Sequence, residues 1–226
     1  MDIHRSAISR SLFALSVFYG GMVCIAGVLG NKQVSLGPVS EIGNWVGVGP
    51  LAVEAGIFAF LMLVAVSSAV AELHGQATAN TLVRFGFVPL LMAMALSWLV
   101  WVLPPSPKMQ PEYRDSIQLI LGTTGRIWAA GIIAYGVSQT LNVTIFSALK
   151  SGQGKLLWLR AVIAGVLSQI VDTLIFVTIA FSGDFPIGPL LVGQMLAKVV
   201  LSIVLVPPLI YVFVAIGRAL DGRRSL

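Results

Sequence analysis

Two residues of opposite charge stand in apolar runs that should carry none. Asp172 lies in the run Leu156–Phe181 and Lys198 in the run Ile187–Gly217. Asp172 precedes Phe181 by nine residues and Lys198 follows Ile187 by eleven, so in two helices joined as an antiparallel hairpin they fall at similar depth. A charge at the centre of a membrane-crossing helix costs about 2.5–3.5 kcal/mol on insertion scales. An unlike partner at the same depth offsets much of that cost. Such a pair either holds the hairpin in register or serves a solute. The rarity of intramembrane charges without a role favours the solute.

Amides and hydroxyls accompany the charges. Gln169 and Asp172 are three residues apart and Gln169 and Thr173 four, so they share a helix face, with Ser168 beside them. Ser138, Gln139 and Asn142 repeat that spacing one segment earlier, and Gln194 stands four residues before Lys198. Interhelical hydrogen-bond glue, about 0.6 kcal/mol per contact, needs fewer groups than this. Three polar stripes on three helices point to one polar cavity. Other polar residues have plainer readings. Glu54 and Glu72 fall at the two ends of one apolar run, where carboxylates are ordinarily solvated, although either could line a cavity mouth. His74 reads as an interfacial loop histidine rather than a proton relay. Arg126 could clamp an acid or snorkel to headgroups. Trp98, Trp101 and Trp128 fit an interfacial aromatic belt, and Gly20, Gly21, Gly27 and Gly30 permit close helix packing.

The elements that must position these residues follow from composition. Of 226 residues, 57% are hydrophobic and 10% charged, where soluble domains carry about 25% charged residues. Mean hydropathy is +0.94. A soluble globular enzyme, a disordered chain and a coiled coil are excluded on that ground. A spanning helix needs about 20 apolar residues, and six segments qualify: Leu12–Leu29, Leu51–Ala71, Leu82–Leu103, Ile127–Leu149, Leu156–Phe181 and Ile187–Gly217. Lipid offers no partners to free backbone groups, so each is helical, and the short alternating segments of a membrane barrel are absent. The expected fold is an all-α integral membrane protein, a six-transmembrane-helix bundle forming one transporter domain over residues 1–226. The first segment follows Arg5 and Arg10 as a signal peptide would, but its run is too long and no Ala-x-Ala site follows, so it reads as a span.

Lys and Arg in short loops set orientation. One side collects Arg5, Arg10, Arg84, Lys150, Lys155, Arg160, Arg218, Arg223 and Arg224, and the other Lys32, Lys108 and Arg114. Nine against three places both termini in the cytoplasm. The net charge of +5 therefore marks cytoplasmic loops rather than nucleic-acid affinity. A three-plus-three inverted repeat is compatible with six helices, although none is visible in the sequence. Asn31–Pro50 reads as a Gly-rich loop. Ser116–Gly125 is too short to span and reads as an interfacial or re-entrant piece. Pro207-Pro208 should kink the last helix. Cofactor and catalytic motifs are missing: no zinc-binding His pair, no phosphate-binding loop, no nucleophile elbow and no ion-selectivity filter. Cys24 is the single cysteine and His4 and His74 the two histidines, so no cofactor or metal is expected.

The stretches SQTLNVTIFSALKSGQGKLLWLR (138–160) and SQIVDTLIF (168–176), with a later Lys followed by a Pro and a Tyr, resemble the queuosine-precursor transporter family, also called the vitamin uptake transporter family. Asn31-Lys32-Gln33 and Glu72-Leu73-His74-Gly75 match its amino-terminal elements more loosely. The resemblance implies a multi-pass protein of the bacterial inner membrane that imports 7-deazaguanine bases for tRNA modification. Its partners would then be a small-molecule nucleobase and the lipid bilayer, with no nucleic acid bound and a homo-oligomer left open. Carried over residue by residue, it points to Asn31, Lys32, Glu72, Gln139, Phe146, Arg160, Ser168, Gln169, Asp172, Thr173, Phe176 and Lys198. The sequence departs from the family pattern at Ser68, where relatives have an acid, at Asn142, where an aspartate is usual, and at Ala161 and Ala164.

For such a base, Asp172 can accept two adjacent N–H donors. Gln139, Gln169 and Asn142 can satisfy a ring carbonyl, Phe146 or Phe176 can stack on the ring, and Lys198 neutralises Asp172 when the site is empty. Two other classes compete. A substrate-binding subunit of an energy-coupling-factor vitamin transporter would need partner ATPases. A membrane enzyme acting on lipid would need an acid/base set at the interface rather than at mid-membrane.

Overall fold

The structure is a computed structural model. It describes residues 8–30, 32–35, 37–122, 125–150, 156–183 and 187–222. Helices dominate: α1 (Arg10–Leu29), α2 (Ile42–Trp45), α3 (Gly56–His74), α4 (Gln76–Phe85), α5 (Phe87–Val102), α6 (Pro111–Leu121), α7 (Gly125–Ala148), α8 (Leu157–Phe181) and α9 (Gly188–Leu220). Six stretches are long and apolar enough to cross a membrane, with α4 and α5 together making one of them across Gly86.

The third helix is the hub. Its stretch Val64–Ala71 is buried throughout, and it packs against α1, α4, α7 and α9. The sequence there, VAVSSAVA, is apolar or small on every face. An all-round apolar helix belongs inside a bundle, and small residues let neighbouring backbones approach. In contrast, α5 buries none of its residues, as expected for a helix bathed in lipid. The remaining spans α7, α8 and α9 pack in sequence as antiparallel neighbours.

Three boundaries differ from the sequence expectation. Residues after Asn31 are not simply loop. Strand β1 (Gln33–Ser35) pairs antiparallel with β2 (Ala52–Glu54), with Gln33 opposite Glu54, and a 3₁₀ turn (Gly37–Glu41) and α2 lie between them. The helix expected from Leu51 therefore begins at Gly56, because Pro50 and the alternation of buried Leu51 and Val53 with less buried Ala52 and Glu54 favour a strand. The third span begins at Gln76 rather than Leu82, since polar residues at 76–81 (QATANT) dilute hydropathy without breaking the helix.

The stretch expected at Ser116–Gly125 begins earlier, at Pro111, whose fixed φ suits a first helical position. It buries no residue and lies beside α5, where Gln118 Nε2 donates to the Trp101 carbonyl at 3.4 Å. Helix α9 runs unbroken through Pro207 and Pro208.

Candidate functional site

Neighbouring spans alternate in direction, so the ends of the bundle can be told apart by which helix termini they collect. One end carries the β-ladder, and there a cavity of about 350 Å³ opens. Its wall comes from the last turns of α1, Glu54 of β2, the first turns of α3, the middle of α5, the end of α6, the first half of α7, the second half of α8 and Lys198, ten residues into α9. All these stretches lie toward the ladder end. Cavities of this size lie at the small end of the range for ligand pockets.

Among the described residues, three charged side chains line the cavity: Glu54, Asp172 and Lys198. The depth match read from sequence is realised as contact, with Lys198 Nζ 3.2 Å from Asp172 Oδ2. Both residues are buried, at 6% and 7% exposure. The other carboxylate oxygen, Asp172 Oδ1, accepts a hydrogen bond from Ser138 Oγ at 3.1 Å. Phe176 lines the same wall, with the Lys198 ammonium 5.9 Å from its ring centre.

Glu54 reaches the cavity because the β-ladder folds the chain before α3 back over the bundle. Its Oε1 accepts from Gln194 Nε2 at 3.5 Å. Gln194 is one turn before Lys198, so the second carboxylate stands about one turn from the ion pair. Burial pushes the Glu54 carboxyl above its usual range. Lys198 and Gln194 draw it back down, while Asp172 adds to the rise. Tyr135, also on the wall, exchanges a hydrogen bond with Tyr19 (2.9 Å) and donates to the Val83 carbonyl (3.1 Å).

A buried polar layer lies beneath. Asn142 Nδ2 donates to Ser68 Oγ at 3.0 Å, and Ser67 Oγ donates to Gln139 Oε1 at 3.3 Å. Ser68 and Asn142, where the family pattern has acids, thus bond to each other. Thr173 Oγ1 donates to the Gln169 carbonyl of its own helix. Among the described residues, Gln139 Nε2, Asn142 Oδ1 and both amide atoms of Gln169 are buried with no hydrogen-bond partner. Buried polar atoms are rarely left so.

Among the described residues, ion pairs and hydrogen bonds draw the opposite end together. Glu72, at the end of α3, holds Arg160 (Nη1–Oε2 2.9 Å) and Lys150 (3.5 Å). Arg160 Nε donates to the Phe146 carbonyl at 3.0 Å, and the guanidinium lies 4.1 Å from the Phe146 ring centre. Ser11 joins three helix ends there. Its Oγ pairs with His74 Nε2 at 2.7 Å, and its N and Oγ donate to Asp221 at 3.0 and 2.7 Å.

The sequence-derived residues therefore divide by place. Asp172, Lys198 and Phe176 line the cavity; Gln139, Asn142, Gln169 and Thr173 form the layer beneath; Glu72, Phe146 and Arg160 gather at the opposite end. Asn31 and the Arg126 side chain lie outside the described residues, and Lys32 is exposed. The sequence reading allowed Glu54 at a cavity mouth but favoured a solvated carboxylate; the signal for its place was the period-2 alternation after Pro50. It also set Trp128 in a lipid-facing belt, whereas Trp128 lines the cavity. Nor do the α1 glycines mark close packing throughout: a methyl at Gly21 or Gly27 would meet open space. The tight approach of α1 to α3 is at Gly56, where a methyl would come within 2.8 Å of the Ala26 carbonyl.

Comparison with known proteins agrees with this architecture. The family described as "Putative vitamin uptake transporter" matches residues 54–213. A Bacillus subtilis (strain 168) protein named "Probable queuosine precursor transporter" is 32% identical over 117 residues, which cover 51% of this chain and 50% of that relative. The chain thus matches about half the length of this curated relative. No solved structure matches. A bundle of six apolar spans, a charged mid-bundle cavity and a family match over most of its length together place the chain in the vitamin uptake transporter family, to which queuosine precursor transporters belong.

Proposed function

We propose that this chain forms one transporter domain that imports queuosine precursor bases of the 7-deazaguanine type across the bacterial inner membrane. The observation that carries the reading is the buried Asp172–Lys198 pair in the wall of the cavity. The pair offers both signs of charge to a ligand that donates and accepts. A base edge with adjacent N–H donors competes with Lys198 for Asp172, and a ring carbonyl accepts from the freed ammonium. Phe176 offers a ring face beside them.

The loop charges put the opposite end, with Glu72 and Arg160, in the cytoplasm and the cavity mouth outside. Transport then alternates which end is open. As the mouth closes, the base moves toward the unpartnered amides of Gln139, Gln169 and Asn142, and the Glu72–Arg160–Lys150 contacts break to release it. Pro207-Pro208, each of which removes a helical hydrogen bond, supplies a hinge in α9.

The test is complementation in bacteria that can neither make nor take up queuosine precursors. The cells express the full chain, receive precursor base at low concentration, and are assayed for queuosine in tRNA. Restoration supports the reading. Failure, with the protein correctly inserted, counts against it, and restoration only when partner ATPases are supplied would instead mark an energy-coupling-factor subunit.

A further inference from the structure

We propose that α5 and α6 form the gate of the cavity, a hairpin that swings about a joint at Gly86–Pro89 and closes against α7. The inference rests on the transport reading above and names the part that moves.

The third span is one apolar stretch built as two helices of unlike standing. Its first half, α4, is anchored: Ala79, Leu82 and Val83 are buried, and the helix packs against α3 and α7. Its second half, α5, buries none of its residues. The chemistry of the joint explains the break. Pro89 has no N–H to donate to the Phe85 carbonyl one turn back, and its ring crowds that carbonyl. Gly86 has no side chain, and a methyl there would collide with Tyr135 Oη and come within 2.9 Å of Tyr19 Cε1. The joint therefore rests directly on two buried tyrosines, bonded to each other at 2.9 Å. Tyr135 also donates to the carbonyl of Val83, in the last turn of α4, at 3.1 Å. That bond fixes the α4 side of the joint and not the α5 side.

Helix α5 meets its neighbours near the joint. The Phe87 ring stands edge-on to Tyr135 of α7, 5.0 Å between centres, and Cys24 Sγ of α1 lies 3.8 Å from the Pro89 carbonyl. Farther along, Leu90, Met94 and Ser97 of α5 and Gly131 and Ile132 of α7 line the cavity from two helices. An element with few buried contacts belongs to the low-stability end of a fold, from which moving lids are drawn. Helix α6 travels with α5. It buries no residue, its Gln118 donates to the Trp101 carbonyl at 3.4 Å, and Ile120 and Leu121 extend the cavity wall. Closure brings the apolar lining of α5 and α6 onto the α7 wall and shuts the solute away from water.

The experiment places spin-label pairs on the full chain with Cys24→Ser, reconstituted in lipid, and reads distances by pulsed EPR. The gate pair is Leu96→Cys on α5 with Ile133→Cys on α7. The reference pair is Phe85→Cys on α4 with Val137→Cys on α7. All four positions carry exposed side chains. Leu96 stands about 15 Å along the helix from Gly86, so a swing of about 20° moves it by about 5 Å. The expected result is a gate-pair distribution about 5 Å wider than the reference. It should narrow in Pro89→Ala, which restores the helical bond and stiffens the joint. Saturating 7-deazaguanine base should move the gate pair toward its shorter distances. A gate pair as narrow as the reference, breadth that survives Pro89→Ala, or bound base that leaves the distribution unmoved would overturn the inference. A base that does not bind counts against the nucleobase reading alone, and the solute-free distances still decide the gate.

Discussion

Replacing Lys198 with Met tests the ion pair on which the site is built. The side chains of Lys198 and Asp172 are only 7% and 10% exposed, and their charged atoms are 3.2 Å apart. At an effective dielectric of about 20, unit charges at that separation attract by about 5 kcal/mol. Much of this offsets desolvation, so the pair is no measure of net stability. Removing one partner is costly because it strands the other, typically by about 3–5 kcal/mol. The cavity gives Asp172 some access to water, which favours the lower figure. Met keeps the length and volume of the lysine stem, so packing is little changed.

A loss of about 3 kcal/mol in a chain of this size lowers the melting temperature by roughly 6–12 °C. Thermal unfolding of the purified protein in detergent, followed by tryptophan fluorescence, reads that shift. In Asp172→Asn/Lys198→Met no charge is stranded, and Ser138 can still donate to the amide oxygen. The double variant should recover at least half of the loss. A single variant as stable as the parent, or a double variant no more stable than the single, would refute the claim that the two charges depend on each other.

Two further outcomes follow from the same geometry. Gly56→Ala places a methyl within 2.8 Å of the Ala26 carbonyl at the cavity mouth, and overpacking of this kind should cost about 1–3 kcal/mol in thermal unfolding and reduce uptake. Arg160→Ala leaves Glu72 with only the half-exposed Lys150, 3.5 Å away, and should cost roughly 2 kcal/mol. It should also open that end, read as faster thiol labelling of a cysteine at Ser68 in a protein whose Cys24 has been replaced.

Much of this architecture was legible in the residues. Hydropathy locates spans because a lipid-crossing helix must be apolar along its whole length, and the positions of Asp172 and Lys198 within their spans put them at similar depth, which allows the contact that exists. What hydropathy does not register is a long-range return of the chain. Glu54 sits at a span boundary, where a carboxylate carries no insertion cost, so apart from the alternation after Pro50 its local sequence reads as that of a solvated residue. The pairing of Gln33 with Glu54 brings it over the cavity, and that pairing joins residues about twenty positions apart. The same limit explains the division of the expected site. Glu72, Arg160 and Phe146 were grouped with Asp172 by resemblance alone, whereas chain direction sends them to the other end of the bundle.

The most direct test of the account is uptake of a radiolabelled 7-deazaguanine base into proteoliposomes holding only this chain. The account predicts saturable uptake that unlabelled base competes away and that Asp172→Asn abolishes at equal protein incorporation. No uptake by the reconstituted parent, or equal uptake by Asp172→Asn, would contradict it.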